Sequence, residues 1–456
     1  MQYYSLGKQS PNVAFKTAAI TGQAPDKGLY FPTSIPQLTP EQIERFKTLD
    51  KSSLAFEVMR PYIGGTIDDV SLQKICKETI DFDFPLVPIT KNIQSLELFH
   101  GPTLAFKDVG ARFMSRCLGY FAKAEKASNY DKTKLASNLT SVQNINTILV
   151  ATSGDTGGAV ANGFLGVEGV QVIILYPKGK VSPIQELQLT TCGQNITALE
   201  VDGSFDDCQA IVKEAFMDAD LTKTYHLTSA NSINVARWLP QQLYYFFAWQ
   251  QWVAQYGDNA PMHIVVPSGN FGNICAGMIA KASGLPLGHF VAACNANNVV
   301  TRYLKTGHYE VKKSVETISN AMDVGNPSNF IRILEIMQHR FDALKNGLSS
   351  YSFDDEATKA AITRVFNDYG YTLDPHGAIA FLAAEALIQE KGYAIILETA
   401  HPVKFPEVVE AAIGQKLNIP KSVAYLLDKP KKSIPLYADY ASFKNWMLGQ
   451  KKRPLY

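Results

Sequence analysis

The segment TILVATSGDTGG, residues 147–158, decides the fold class of this chain. An apolar run at 147–151, typical of a buried strand, passes directly into a turn of glycine and small hydroxyl residues. An alanine-rich helical pattern follows the turn. This order is typical of a parallel sheet covered by helices. Ligands bind at the carboxyl ends of strands in such sheets, so the turn is also a candidate binding site.

The same order recurs along the chain. Apolar runs at 170–176, 196–201, 263–266 and 394–397 predict strands, and helical patterns occupy 206–216 and 274–282. Two of these runs lead into the turns PSGNFGN (267–273) and ETAHPVKFPE (398–407). The beginning of the chain is rich in turn signals before a helix at 41–49. The polar stretch 123–146 predicts a surface insertion.

Composition excludes several classes of protein. The chain has 456 residues, of which 46% are hydrophobic, and this length and composition predict a large core and two or three domains. Its formal net charge of +1 lacks the basic excess of a nucleic-acid binder, so an anion must be held by a local site. The six cysteines are scattered, and no long uncharged apolar run is present. We expect a soluble cytoplasmic protein that binds neither nucleic acid nor membrane.

A lysine with unusual neighbours lies in FHGPTLAFKD, residues 99–108. Val109, Phe113 and Cys117 follow Lys107 at helical spacing, which places this lysine where a helix begins. The helix dipole and partial burial both favour the neutral amine there, and Schiff-base chemistry needs a lysine with a lowered pKa. A surface lysine at an ordinary turn explains this segment alone equally well.

Three further segments have the chemistry of anion sites. The turns at 152–156 and 269–273 would direct backbone amides at a bound anion, although each is also compatible with a plain strand–helix turn. Neither has the spacing of a dinucleotide or nucleotide fingerprint. In NSINVAR (231–237), Arg237 can bind a phosphate or carboxylate, and a surface arginine is the alternative. Together with Lys107, these segments favour a phosphorylated cofactor held covalently by a lysine.

The histidine of the last turn has two interpretations. His401 follows the predicted strand at 394–397 and lies beside a proline. A histidine in such a cleft can act as a base. A structural role beside the proline is the more common case, so we expect no direct catalytic role for His401.

Taken in this order, the segments resemble the threonine synthases of the longer bacterial and fungal type. The resemblance covers nearly the whole chain and includes DVGNPSN at 323–329. It implies an α/β fold of the fold type II pyridoxal-phosphate enzymes (tryptophan synthase β-like), with two open-sheet domains and an added N-terminal region. The implied domains are an N-terminal domain at 1–95, a small α/β domain at 108–230, and a large cofactor-binding domain at 96–107 and 231–456 with C-terminal helices.

The resemblance also implies a role for each motif. Lys107 would be the catalytic Schiff-base lysine. The implied site for pyridoxal 5'-phosphate comprises Lys107, Asp155, Gly269, Asn270, Phe271, Gly272, Asn273 and Thr399. The implied substrate site comprises Thr152, Ser153, Thr156, Asn231, Ser232 and Arg237. Many relatives of this fold carry asparagine where this chain has Asp155, whereas the longer threonine synthases share the aspartate.

The implied activity is that of a lyase. It would convert O-phospho-L-homoserine and water to L-threonine and phosphate by γ-elimination and β-hydration, the last step of threonine biosynthesis, in a monomer or homodimer. One alternative is a serine or threonine dehydratase or a β-replacing enzyme of the same fold, and the Arg237 segment and the Asp155 loop argue against it because such enzymes need no site for a second phosphate. Another is a noncatalytic anion-binding relative, against which the intact Lys107 argues.

Overall fold

The computed structural model describes residues 1–133, 145–258 and 260–450, and within these ranges the chain alternates strands and helices. The strands are β1 (Gln2–Ser5), β2 (Val13–Ala14), β3 (Tyr30–Pro32), β4 (Leu86–Pro88), β5 (Ile93–Glu97), β6 (Asn146–Ala151), β7 (Val170–Pro177), β8 (Ile196–Asp202), β9 (His226–Ser229), β10 (Ile264–Pro267), β11 (Phe290–Cys294), β12 (Leu348–Ser352), β13 (Ala394–Glu398) and β14 (Ile434–Tyr437).

The helices alternate with these strands and pack against them. They are α1 (Phe15–Thr21), α2 (Pro40–Phe46), α3 (Lys51–Ile63), α4 (Asp69–Thr79), α5 (Lys107–Thr133), α6 (Asp155–Phe164), α7 (Pro183–Thr190), α8 (Phe205–Met217), α9 (Ala219–Thr224), α10 (Val235–Trp238), α11 (Leu243–Tyr256), α12 (Gly272–Ala282), α13 (Val299–Thr306), α14 (Phe330–Ile336), α15 (Phe341–Gly347), α16 (Asp355–Tyr369), α17 (Pro375–Lys391), α18 (Pro406–Ile413), α19 (Lys421–Ala424) and α20 (Tyr440–Gln450). Short 3-10 turns occupy Leu239–Gln242, Asn320–Met322 and Pro402–Lys404. None of the described helices combines the length and apolar character needed to span a bilayer.

Two of the sheets are essentially parallel. The larger has the order β12-β11-β10-β13-β5-β4, in which only the β4–β5 pair is antiparallel, and the smaller has the parallel order β14-β8-β7-β6-β9. The strands β7, β10, β11 and β13 are buried along their whole length. Continuous burial of this kind is typical of parallel strands covered on both faces. The α/β fold class predicted from the sequence is confirmed.

The N-terminal region forms a third, antiparallel sheet in the order β2-β1-β3. It is tied to the rest of the molecule by Arg332 of α14, whose side chain is fully buried. The Arg332 guanidinium donates to the carbonyl oxygens of Tyr30 in β3, at 3.1 Å, and of Ile233, at 2.6 Å. The N-terminal sheet therefore helps to fix the segment just before α10, which carries residues of the predicted site.

Two strand pairings bear on the expected domain division. The boundary at residue 95 falls inside β5, which pairs with β13 over its whole length. The C-terminal strand β14 pairs with β8 of the smaller sheet, whereas the resemblance implies a place for it in the large domain. The division into domains stays a prediction. The described part of the polar stretch 123–146 continues α5 to Thr133 and resumes at the start of β6, and the rest of it lies outside the described residues.

Candidate active site

A pocket lies where strands of both parallel sheets end. Its lining includes 151–153 and 155–156 at the end of β6 and in the loop that follows, 267–273 around the end of β10, and Thr399 directly after β13. It encloses about 1160 Å³ of empty space, part of which is open to solvent. This is the position at which open α/β sheets bind their ligands.

The pocket brings together the residues that the sequence analysis singled out. Its lining includes Lys107, Thr152, Ser153, Asp155, Thr156, Asn231, Ser232, Arg237, Gly269, Asn270, Phe271, Gly272, Asn273 and Thr399. His401 is the exception. It lines a neighbouring cavity, and its Nδ1 accepts a hydrogen bond of 3.1 Å from the Val403 amide at the start of a 3-10 turn. This capping contact is the structural role that we expected for His401.

Lys107 is the first residue of α5 and is largely buried. The segment before it is held in place, because the Phe106 amide donates to the Thr399 carbonyl at 2.9 Å and the Tyr244 hydroxyl donates to the Phe106 carbonyl. Burial lowers the pKa of Lys107; the charge of Asp155 opposes this, and the charges of Lys404 and Arg237 reinforce it. A lysine in these surroundings gains nucleophilic character because more of it is present as the free amine.

The carboxylate of Asp155 lies between two lysines. Its Oδ2 is 3.6 Å from the Lys107 ammonium nitrogen, and its Oδ1 is 2.7 Å from that of Lys404. The Gln185 side-chain amide also donates to Oδ1 at 2.9 Å. Burial raises the pKa of Asp155, but the Lys404 and Lys107 charges and these hydrogen bonds outweigh burial and hold the pKa well below its usual range. Asp155 is therefore a carboxylate at neutral pH.

The loop that carries Asp155 is held by one of its own side chains. The Thr152 hydroxyl accepts hydrogen bonds of 2.9 Å from the amides of Gly154 and Gly157. Gly154 has a φ of +136°, which side-chain-bearing residues rarely adopt, so the sharp entry into α6 requires glycine at this position. The loop therefore presents Asp155 from a fixed backbone.

The turn after β10 has the geometry of an anion site. It runs into the 11-residue helix α12, which begins at Gly272, so its amides and the helix dipole point toward one place. Phe271 adopts a φ of +60°, and a Cβ at Gly269 would lie 2.5 Å from the Met322 Cα. The side-chain nitrogen of Asn273 is buried with no hydrogen-bond partner among the described residues. An unpaired buried donor is costly, and a bound ligand would satisfy it.

Arg237 supplies a second set of donors. Its guanidinium is 3% exposed and donates to the Ala230 carbonyl at 2.7 Å, while its Nε has no partner among the described residues. No carboxylate in the described part of the chain lies within ion-pair distance of it, and burial lowers its pKa to about 10. It stays a cation at neutral pH. Asp108 lies near enough to raise the pKa of Arg237 but makes no ion pair with it in the described ranges, so an anionic ligand would offset the remaining cost of burying this cation.

Several side chains at the site were not predicted. Lys404 and Gln185 contact Asp155 from behind the pocket wall. His376 lines the pocket and bonds to the Asp374 carboxylate through Nδ1, and its buried Nε2 has no hydrogen-bond partner within the described ranges. Lys404 lies inside the turn ETAHPVKFPE, so a lysine among apolar residues was the available signal. Gln185 and His376 lie in ordinary helical patterns, and nothing in the sequence around them indicated a role at the site.

These features fit a phosphorylated aldehyde cofactor. Lys107 has a lowered pKa, the turn at 269–273 offers amides and an unpaired Asn273 donor, and Thr399 places a neutral hydroxyl in the same pocket. Arg237 remains as a separate site for a second anion. The fold and the pocket thus define a pyridoxal-phosphate-dependent enzyme of fold type II.

Known proteins identify the family. The model of the family described as "Pyridoxal-phosphate dependent enzyme" matches residues 95–397 of this chain. The family models of the threonine synthase N terminus and C-terminal region match residues 2–80 and 377–447. Threonine synthase from Serratia marcescens is 40% identical over 98% of this chain and 99% of its own length. The chain belongs to the threonine synthase family, and its function is that of a pyridoxal-phosphate-dependent lyase of threonine biosynthesis.

Solved structures agree with this assignment. The crystal structure of threonine synthase from Escherichia coli has a TM-score of 0.87 and 39% identity, and it covers 99% of this chain and 100% of that one. A PLP-bound threonine synthase from Brucella melitensis has a TM-score of 0.90 and 33% identity over 99% of this chain and 100% of its own. The cofactor expected from the sequence, pyridoxal phosphate, is confirmed.

Proposed function

We propose that this pocket converts O-phospho-L-homoserine and water to L-threonine and inorganic phosphate, with Lys107 as the catalytic lysine. The observation that carries the proposal is the presence of two separate sets of anion donors around one buried lysine. One set, the turn at 269–273, suits the cofactor phosphate. The other, around Arg237, suits the phosphate that the substrate loses.

Each residue of the cofactor set has a distinct task. The amides of 269–273 and the Asn273 side chain would hold the phosphate, Thr399 would offer a neutral hydroxyl to the ring nitrogen, and Asp155 lies beside Lys107. When bound, the cofactor serves as an electron sink that makes the substrate Cα proton removable. Lys107 then takes and returns protons, because a lysine with a lowered pKa can act as both base and acid near neutral pH.

The substrate set fixes the other end of the molecule. Arg237, with Asn231 and Ser232, binds the substrate phosphate, and the loop at 152–156 holds the substrate carboxylate through its amides and hydroxyls. With both ends held, the substrate carbons lie against Lys107 in one orientation. Arg237 also stabilises the charge that the departing phosphate gains.

The test is an assay of the cofactor-loaded protein with O-phospho-L-homoserine. We expect threonine and inorganic phosphate to form in equal amounts and to depend on added pyridoxal phosphate. L-serine and L-threonine serve as alternative substrates, and turnover of either at a higher kcat/KM would assign the pocket to a dehydratase or a β-replacing enzyme. Absence of turnover with all three would leave only a noncatalytic anion-binding role.

Two properties of the whole protein complete the proposal. The six cysteines are free thiols and five of them are buried, which agrees with a reducing compartment and supports action in the cytoplasm. We place the protein there as a monomer or homodimer. Light scattering of the purified chain distinguishes the two states.

A further inference from the structure

A second lysine, Lys404, is completely buried next to the pocket. It ends the 3-10 turn Pro402–Lys404 after β13, and its side chain is 0% exposed. Its ammonium group contacts Asp155 Oδ1 at 2.7 Å and donates to the Thr103 carbonyl at 2.8 Å. A buried ammonium is costly even when paired, and Lys404 is not part of the pocket lining. Its position therefore suggests an action through Asp155.

The two oxygens of Asp155 are used unequally. Lys404 and Gln185 both contact Oδ1, at 2.7 and 2.9 Å, whereas Lys107 faces Oδ2 at the longer distance of 3.6 Å. A carboxylate that paired with Lys107 alone would stabilise its ammonium form, which cannot attack a carbonyl group. Asp155 therefore makes its shorter contact with Lys404 and its longer contact with Lys107.

We propose that Lys404 is a positioning residue for Lys107. Because the Lys404 ammonium neutralises most of the negative charge of Asp155, Asp155 orients Lys107 without stabilising its ammonium form. This rests on the proposed role of Lys107 as the cofactor lysine. The other charged groups that face the cluster are Arg237 on α10 and Asp108 on α5. Arg237 also repels an ammonium on Lys107, while Asp108 acts on Lys404 and accepts hydrogen bonds from Thr103.

The test follows the charge of Lys107 through its reaction with the cofactor. Full-length protein stripped of cofactor is mixed with pyridoxal phosphate, and the rate of covalent capture is measured against pH from the visible band and by borohydride trapping. The midpoint is the pH at which the capture rate reaches half of its maximum. We expect Lys404→Met to move this midpoint to higher pH. Each unit of that movement slows capture at neutral pH about tenfold, because the amine fraction falls by that factor. Lys404→Arg keeps the charge, so its midpoint should stay closer to that of the unsubstituted protein.

Controls separate this effect from a general loss of structure. Lys416→Met removes an exposed lysine that pairs with Glu410, and its midpoint should not move. A Lys404→Met protein that is less stable to heat but has an unchanged midpoint would overturn the proposal. Lys107→Ala should abolish capture. If capture persists in that variant, the role of Lys107 itself is wrong, and if only the Lys404 effect is missing, the proposed function stands without this inference.

A second pair of variants keeps the proposal testable if Lys404→Met does not fold. Asp155→Asn leaves Lys107 facing only positive neighbours, so its midpoint should fall below that of the unsubstituted protein. The double variant Asp155→Asn/Lys404→Met removes both charges and leaves no unpaired buried ion of this pair. With Asp155 neutralised, only the direct repulsion between the two lysines is left, so the midpoint of the double variant should lie only slightly above that of Asp155→Asn alone. A midpoint far above it would show that Lys404 acts on Lys107 directly and not through Asp155, which would overturn the proposal.

Discussion

The side-chain amide of Asn270 donates a hydrogen bond of 2.7 Å to the hydroxyl of Ser232. Asn329 donates to the same hydroxyl at 3.1 Å. Asn270 belongs to the turn proposed for the cofactor phosphate, and Ser232 to the segment proposed for the substrate phosphate. The two sites therefore share a wall, and a substitution made to test one of them must be checked for its effect on the other.

Replacement of Lys107 tests the catalytic lysine. Lys107→Ala should abolish the visible band of the lysine-bound cofactor and lower kcat/KM by at least about 10³-fold. The fold should be kept, because Asp155 retains its closer partner Lys404. Absorption spectra and steady-state kinetics measure both effects. Lys126→Ala, an exposed position on the same helix, is the control and should behave like the unsubstituted protein. A borohydride-trapped adduct elsewhere in an active Lys107→Ala protein would refute the assignment.

Two substitutions at Gly272 test the cofactor phosphate site. A Cβ at this position would lie 3.3 Å from the Asn329 side-chain nitrogen and 3.4 Å from the Ser232 Cβ, so Gly272→Ala needs only small adjustments. Gly272→Asp adds a negative charge where the phosphate is proposed to bind. We expect the cofactor Kd, measured by fluorescence titration, to rise at least about tenfold more for aspartate than for alanine, or by more than about 1.4 kcal/mol. Equal Kd values for the two variants would place the phosphate elsewhere.

Much of this architecture was predictable because its signals are local. The apolar runs at 147–151 and 394–397 agree to within a residue with β6 and β13, since fully buried strands are continuously apolar. β14 escaped prediction because it has four residues, three of them exposed. The contact of Lys404 with Asp155 joins residues far apart in the chain, and no local pattern contains such a contact. The motifs thus predicted which residues line the pocket, but not the contacts that set their charges.

The environment of His401 predicts a pH dependence of stability. Burial and the neighbouring His100 lower the pKa of His401 from 6.5 to about 4. The unfolded chain therefore binds this proton more readily than the folded one, so stability is lost as the pH falls from about 6.5 to about 4 and changes little further below that range. The full loss from this group is about 3 kcal/mol.

The measurement compares His401→Asn with the unsubstituted protein in urea unfolding at pH 7 and pH 4.5. Asparagine keeps an acceptor for the Val403 amide, so the cap is preserved. The variant should lose less stability between the two pH values, and its kcat at pH 7 should be unchanged. An identical loss in both proteins would show that other groups cause the acid sensitivity, and a large fall in kcat would give His401 the catalytic role that its position outside the pocket argues against.

Substitution of Arg237 tests whether the substrate phosphate and the cofactor phosphate bind at separate sites. The Arg237 guanidinium is buried, has one bond to the Ala230 carbonyl, and lines the pocket without a carboxylate partner in the described ranges. If it binds the substrate phosphate, Arg237→Ala should lower kcat/KM for O-phospho-L-homoserine by the value of a charge-assisted hydrogen bond, about 1.5–3 kcal/mol or roughly 10- to 150-fold. Arg237→Lys should recover part of the loss, since lysine keeps the charge without the planar fork of donors.

Measurements of cofactor binding decide whether Arg237 binds the substrate phosphate or the cofactor phosphate. The visible spectrum and the pyridoxal phosphate Kd of Arg237→Ala should match those of the unsubstituted protein, and inorganic phosphate should inhibit the variant less strongly. Arg302→Ala removes an arginine that pairs with Glu310 near the surface, and it should change none of these quantities. A variant that loses cofactor affinity but keeps its KM for the substrate would assign Arg237 to the cofactor phosphate. Because Ser232 and Asn270 join the two sites, that outcome would reverse the roles of the two donor sets while leaving Lys107 as the reacting group between them.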